Sequence, residues 1–317
     1  MKKVAVLTSG GDAPGMNAAI SAIVHSAQVH HIDVIGVKSG YTGLLNGDFI
    51  PLTIQDVENL TSTGGTFLKT SRCTRFVEEE SRKQAAQHLK SHGIEHLIVI
   101  GGEGSLKGAE KLQQLGIQVI GIPGTIDNDI PYTDYSIGFD TTLNTVLDCI
   151  SKLKDTDYSH DKTTIVEVMG RACGDLALHS AIAGEGEIIS TPEKPLSFQQ
   201  ISTQLEQKIQ NGKLNNIIII TEKMFKISDL QDHIKTQTGV EVRTAVLGFL
   251  QRGGRPSAFD RILARKMGVK AVELLVNGAG GKAIGIRENK IVDICFTDVM
   301  KKPSSNEESY DLLNLLL

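Results

Sequence analysis

The stretch Gly121-Ile122-Pro123-Gly124-Thr125-Ile126-Asp127-Asn128-Asp129 carries residues able to do chemistry: a hydroxyl and two carboxylates within five residues, just past a break made by Pro123 and Gly124. Carboxylates brought to a phosphate-binding surface can serve a reaction there; the same residue types also build a plain tight connection. Upstream, Thr8-Ser9-Gly10-Gly11-Asp12-Ala13-Pro14-Gly15 lies between a strand and a helix start, where backbone amides can cradle phosphate oxygens without a side-chain donor. It is neither a Gly-x-Gly-x-x-Gly fingerprint nor a Gly-Lys-Ser/Thr loop, and it also reads as an ordinary glycine-rich turn. Gly64-Gly65-Thr66 leads to Lys69-Thr70-Ser71-Arg72, and the five donors of Arg72 suit a phosphate, with a solvated arginine as the alternative.

These groups need elements to hold them. Residues 4–7, 34–37, 94–100 and 118–122 predict strands; 16–29, 55–60, 78–92 and 106–115 predict helices; and Gly101-Gly102-Glu103-Gly104-Ser105 reads as a turn after the third strand. Strand-helix units in series imply a parallel sheet with helices on both faces, with ligands outside the carboxyl ends of its strands. Gly10-Gly11, Arg72, residues 101–105 and residues 125–129 all fall at that edge.

The pattern changes at residues 138–140, where we expect a domain junction. Beyond it, residues 141–153, 176–183, 198–210 and 227–236 predict helices, while 163–168, 188–189 and 214–220 predict strands. This second α/β layer has Arg171, in the turn Met169–Asp175, and Glu222 at its strand ends. A strand over 243–248 runs into Gln251-Arg252-Gly253-Gly254, and a helix over 257–277 is expected to return to the first domain. Residues 283–286 and 290–293 read as a hairpin, 303–308 as polar linker, and 310–317 as a short apolar helix that docks or frays. The expected fold class is α/β: two α/β/α sandwich domains with largely parallel sheets and an active site in the cleft between them.

Composition narrows the function. A net charge of -4 with interspersed signs, and no tryptophan, provides neither a basic field for nucleic acid nor a polybasic tract for a membrane. The apolar runs are strand-length, and Met1–Leu7 enters a strand directly, leaving no room for a signal peptide. Cys73, Cys149, Cys173 and Cys295 form no Cys-x-x-Cys unit and read as free thiols of a reducing, cytoplasmic setting.

Along essentially its whole length the chain resembles the bacterial ATP-dependent 6-phosphofructokinases. The resemblance rests on Leu7–Ala19, Gly64-Gly65-Thr66-Phe67-Leu68, Pro123–Asp129, Met169-Gly170-Arg171 and Gln251-Arg252-Gly253-Gly254. It implies transfer of the γ-phosphoryl group of ATP, with Mg2+, to the 1-hydroxyl of fructose 6-phosphate in a homotetramer. It further implies an ATP-binding domain of residues 1–138 with 251–302, and a fructose-phosphate-binding domain of 139–250 with 303–317. By the same resemblance Gly11, Arg72, Gly102, Gly104 and Ser105 hold nucleotide phosphates, while Tyr41, Cys73 and Gly108 lie along the nucleoside. Glu103 takes the magnesium position; Asp127 is the base, assisted by Thr125 and Asp129, and Arg171 is a transition-state clamp. Met169, Gly170, Glu222 and Arg252 contact the sugar phosphate, with Lys162 and Arg243 contributed by a neighbouring subunit. Gly104 and Gly124 stand where related pyrophosphate-using enzymes carry an acid and a lysine, which favours ATP.

The chain also departs from the family. Glu103 replaces aspartate, Lys162 replaces arginine, and Phe249 replaces a histidine that contacts the sugar phosphate; Val77 and Lys107 near the nucleotide groove are unusual. Together these substitutions predict reduced turnover or affinity. At the positions of the family's effector site stand Ser21, His25, Ile54, Gln55, Asn59, Lys154, Glu185, Glu187, Asn211 and Lys213. Charges expected at 21, 25, 54 and 211 are missing, which predicts weak or absent control by ADP and phosphoenolpyruvate. Two other readings stand beside the leading one: a catalytically weak paralogue acting as a binding or regulatory subunit, and a kinase for tagatose 6-phosphate.

Overall fold

Apolar strands buried on both faces organise the chain, as in the strand His96–Gly101, where Leu97 to Ile100 are fully buried. The computed structural model describes residues 1–299 and 306–316. It separates into two compact units: Met1–Ile126 with Ile130–Thr141 and residues 252–299, and Asp127–Asp129 with Thr142–Gln251 and residues 306–316.

In chain order the first unit begins with β1 (Lys3–Ser9), α1 (Met16–Val29), β2 (Asp33–Val37), α2 (Gly40–Asn46) and β3 (Phe49–Leu52). After 3-10 turns at Gln55–Val57, Leu60–Ser62 and Thr74–Val77 come α3 (Glu79–Ser91), β4 (His96–Gly101), α4 (Glu103–Gln114) and β5 (Gln118–Pro123). Next are α5 (Phe139–His160), which starts in the first unit and continues in the second, β6 (Thr163–Val168), α6 (Asp175–Gly184), β7 (Ile188–Ser190) and α7 (Phe198–Gln210). Then follow β8 (Ile217–Thr221), α8 (Ile227–Thr238), β9 (Val242–Val246) and a 3-10 turn at Gly248–Arg252. Finally α9 (Ala258–Val276), β10 (Lys282–Arg287) and β11 (Lys290–Cys295) return to the first unit, and α10 (Glu307–Leu316) belongs to the second.

The first sheet has the order β11-β10-β5-β4-β1-β2-β3 and the second β7-β8-β6-β9. The second is parallel throughout; the first is parallel except at its edges, where β3 and β11 pair antiparallel with β2 and β10. The α/β architecture therefore agrees with the expectation.

Several element assignments need correction. The helix expected over 106–115 starts at Glu103, so residues 103–105 are its first turn and not a loop. The helix expected over 55–60 is two separate 3-10 turns, and Gly40–Asn46, to which no element was assigned from sequence, is helical. The helix expected over 141–153 runs from Phe139 to His160. Edge strand β3 escaped notice; Pro51 obscures it, and an edge strand tolerates the missing N–H. The linker expected over 303–308 lies outside the described residues up to 305, and its last two residues are helical. The terminal helix docks through buried Tyr310 and Leu313.

Candidate active site

Register brings the first set of candidates together. Ser9 pairs with Gly101 and Gly101 with Pro123, so β1, β4 and β5 end on one row. Gly10-Gly11, Gly102–Ser105 and Gly124-Thr125 therefore leave the sheet side by side. Because α4 begins at Glu103, that edge also receives a helix N-terminus, whose amides and dipole favour anions. A Cβ on Gly101 would lie 2.5 Å from the Ser9 carbonyl oxygen and 2.6 Å from Ser105 Oγ, which shows how tightly the turns converge.

Local hydrogen bonds fix each turn. Thr70 Oγ1 donates to the Gly10 carbonyl at 2.8 Å, and Ser71 Oγ to the Ser39 carbonyl at 2.9 Å, anchoring the segment that presents exposed Arg72. Tyr41 is buried: its hydroxyl donates to the Ser105 carbonyl at 2.6 Å and its ring stacks on Phe76 at 3.9 Å. Burial pushes the Tyr41 phenol well above its usual range, keeping it a donor. A side chain at Gly108 would meet that ring at 2.9 Å, so Gly108 and Tyr41 set the position of the first turn of α4. Cys73 is half-buried in the following segment. Glu103 forms an i,i+4 ion pair with Lys107, its side chain 29% exposed.

Arg252, assigned from sequence to the sugar phosphate, has its guanidinium on the first glycine turn. Its Nη1 donates to the Asp12 carbonyl at 3.1 Å and lies directly over Gly11, where an added Cβ would sit 2.1 Å away.

The acid-bearing turn is buried at Thr125, Asp127 and Asn128, and half-buried at Asp129. Ser136 Oγ donates to the Thr125 carbonyl at 2.7 Å, and the Thr125 N–H donates to the Ile137 carbonyl at 3.1 Å. Asn128 adopts a left-handed backbone (φ 53°), a conformation Asn tolerates better than most residues, and its Nδ2 donates to Asp175 Oδ2 at 3.0 Å. Asp127–Asp129 group with the second unit.

In that unit Val168 pairs with Thr221, so Met169-Gly170-Arg171 and Glu222 leave β6 and β8 together. Arg171 is exposed, with φ 58°, and its backbone N–H donates to Glu222 Oε1 at 3.2 Å. Lys162 and Arg243 lie at the other end of the same sheet, where Thr164 pairs with Arg243. Arg243 Nη1 is 3.3 Å from Oδ1 of buried Asp157, whose carboxyl is pushed up by desolvation against the opposing influence of Thr164 and Arg243. A rise of about 3.3 Å per residue puts roughly 20 Å between Lys162 and Met169. Phe249 is 83% exposed on the 3-10 turn after β9.

Of the effector positions, Ser21 is buried on α1, His25 is exposed there, Gln55 opens the first 3-10 turn after β3, and Ile54 and Asn59 each precede one of the two turns. In the second unit Lys154 pairs with Glu185 at 2.9 Å and Lys213 with Glu187 at 2.5 Å, so the retained cations are answered within the chain.

Among the described residues no group of three or more His, Cys, Asp or Glu could hold a metal by itself, and no helix is long and apolar enough to cross a membrane. Magnesium bound through substrate phosphates needs only one or two protein carboxylates, and Glu103, on the first turn of an anion-favouring helix, has the donor chemistry for that. Asp175, placed from sequence only as the end of the turn from Met169, sits 47 residues from Asn128, and no local spacing pointed to the bond between them.

The edge of the first sheet gathers a glycine turn and a helix start, an arrangement that favours phosphate groups, and the chain belongs to the phosphofructokinase family, whose model matches residues 3–275. The ATP-dependent 6-phosphofructokinase of Clostridium acetobutylicum is 50% identical over 317 residues, covering 100% of this chain and 99% of that protein. That of Clostridioides difficile is 47% identical over the same span. Among solved structures, phosphofructokinase from Saccharomyces cerevisiae superposes with a TM-score of 0.89 at 34% identity; the match covers 100% of this chain and 48% of that one, so this chain spans about half of the yeast chain. A pyrophosphate-dependent phosphofructokinase from Marinobacter aquaeolei, 23% identical with a TM-score of 0.88, shares the fold.

Proposed function

We propose that this phosphotransferase moves the γ-phosphoryl group of ATP to the 1-hydroxyl of fructose 6-phosphate, giving ADP and fructose 1,6-bisphosphate, the committing step of glycolysis. The observation that carries this reading is the common row of Ser9, Gly101 and Pro123, from which the glycine turn, the start of α4 and the acid-bearing turn all depart.

Residues of the first unit hold the nucleotide. Amides around Gly11 and at the start of α4, together with Arg72, Gly102, Gly104 and Ser105, receive phosphate oxygens; Cys73 and Gly108 lie along the nucleoside, with Tyr41 fixing Gly108 from beneath. Glu103 would hold Mg2+, which supplies positive charge to the phosphate oxygens when bound. Asp127 accepts the proton of the sugar hydroxyl as its oxygen bonds to the γ-phosphorus and the bond to the β-γ bridging oxygen breaks; Thr125 and Asp129 assist. Arg171 spreads positive charge over the equatorial oxygens. Met169, Gly170 and Glu222 contact the sugar phosphate, and Arg252 serves it from the first glycine turn.

Lys162 and Arg243 sit a full strand length from Met169 in their own chain, so they serve the sugar phosphate of a second copy. This supports an oligomer, a homotetramer, in which neighbouring subunits complete one another's sites. Open space around Gly104 suits the nucleotide; a side chain at Gly124 would press on Ile100 and Met16 at 3.1 and 3.2 Å. Both features favour ATP over pyrophosphate.

Purified protein assayed with MgATP and a panel of sugar phosphates tests the reading. Fructose 6-phosphate should give the highest kcat/KM; no turnover with it, or faster turnover with tagatose 6-phosphate, overturns the assignment. We further propose that Glu103, Lys162 and Phe249 lower efficiency, and that Glu103→Asp raises kcat by several-fold, by shortening the carboxylate arm about one bond and breaking its fit to Lys107. An unchanged kcat in that variant removes the carboxylate-arm explanation. With its remaining cations already paired, the effector site should show no micromolar ADP or phosphoenolpyruvate binding by titration calorimetry; such binding would overturn this part.

A further inference from the structure

The acid-bearing turn is held by a carboxylate that has no place in the proposed chemistry. Asp175, the first residue of α6, is only 4% exposed, and both its oxygens are engaged. Oδ2 accepts from Asn128 Nδ2 at 3.0 Å, and Oδ1 accepts from Asn306 Nδ2. Asn128 stands between Asp127 and Asp129; Asn306 immediately precedes α10. That helix is itself fixed: Tyr310 and Leu313 are buried, the Tyr310 hydroxyl shares a 2.5 Å hydrogen bond with Thr191 Oγ1, and Lys194 lies 4.1 Å over the Tyr310 ring. All these residues belong to the second unit.

Burying a carboxylate is unfavourable unless hydrogen bonds compensate it, and here two of the compensating donors are side-chain amides from distant segments, beside the neighbouring Cys173 thiol. Desolvation pushes the Asp175 carboxyl up, with the Asn128 amide opposing that shift. The left-handed backbone of Asn128, φ 53°, is a conformation that surrounding contacts must maintain. A hydrogen bond from its side chain to a buried, helix-anchored acceptor is such a contact.

Resting on the phosphotransferase reading above, we propose that Asp175 is a positioning residue: it holds the Asp127–Asp129 turn through Asn128, and the C-terminal segment secures Asp175 through Asn306. The chain end thus takes part in aligning the base, although it is far from it in sequence. A misplacement of about 1 Å at a reacting group can lower a rate roughly 100-fold, so loosening this hold acts on kcat before it acts on nucleotide affinity.

The test is a double-mutant cycle joined to hydrogen exchange. Asp175→Asn, Asn128→Ala and Asn306→Ala are each expected to lower kcat roughly 10- to 100-fold, with KM for MgATP within about twofold. Asn128→Ala combined with Asp175→Asn should be no worse than the poorer single variant, because the two residues act as one unit. A purely structural role gives multiplicative losses instead and overturns the proposal, as does a kcat within twofold of the unmodified protein. Amide exchange over residues 124–132 should accelerate at least tenfold in Asn306→Ala, which leaves the buried carboxylate in place; unchanged exchange there also overturns it. The exchange readout does not depend on the sugar acceptor, so failure of the substrate assignment and failure of this proposal give different results. Should Asp175→Asn fail to fold, Asn128→Ala with Asn306→Ala completes an equivalent cycle.

Discussion

Asp127→Asn is expected to lower kcat by roughly 100- to 10,000-fold, the usual contribution of a positioned general base, with KM for both substrates changed only a few-fold. The substitution keeps shape and hydrogen-bonding capacity at a buried position, so thermal stability should fall little. A coupled assay of ADP release alongside a thermal melt separates the two effects. A loss under tenfold in folded protein would remove Asp127 as the proton acceptor and direct attention to Asp129 on the same turn.

Arg171→Ala is the second large effect, a fall in kcat of roughly 100- to 1,000-fold, as seen when a single transition-state charge donor is removed. The backbone around it is set by the N–H bond to Glu222 and by a left-handed φ of 58°, neither of which requires the guanidinium, so the fold should survive. Arg171→Lys should recover only part of the rate, since an ammonium lacks the planar fork. If Arg171→Ala raises KM for the sugar phosphate while kcat holds, Arg171 binds the ground state and is no clamp.

Much of this architecture could be read from the chain because buried parallel strands announce themselves as apolar runs. The segment around Ile98 is one, and its neighbours end in glycine turns that fall on one sheet edge. Where sequence reading failed, packing had overruled local propensity. Gly102 and Gly104 made residues 101–105 look like a turn, yet Tyr41 beneath Gly108 and Ser105 supports a helix there. Two glycines hid α2 in the same way. The pairing of Glu103 with Lys107 becomes legible only when both are known to lie on one helix four residues apart. Asp175 with Asn128 and Asn306 joins segments 47 and 131 residues away, a link that no local spacing encodes.

The Glu103–Lys107 pair also bears on ion competition. A lysine tethered four residues along the same helix acts as a resident counter-ion at very high local concentration, which any incoming cation must displace. Mobile salt screens such an exposed pair, so added salt weakens the tether as well as the attraction of the carboxylate for a divalent ion. The acid to which the metal is assigned in the proposed function is therefore also a latch, closed by a lysine of the same helix.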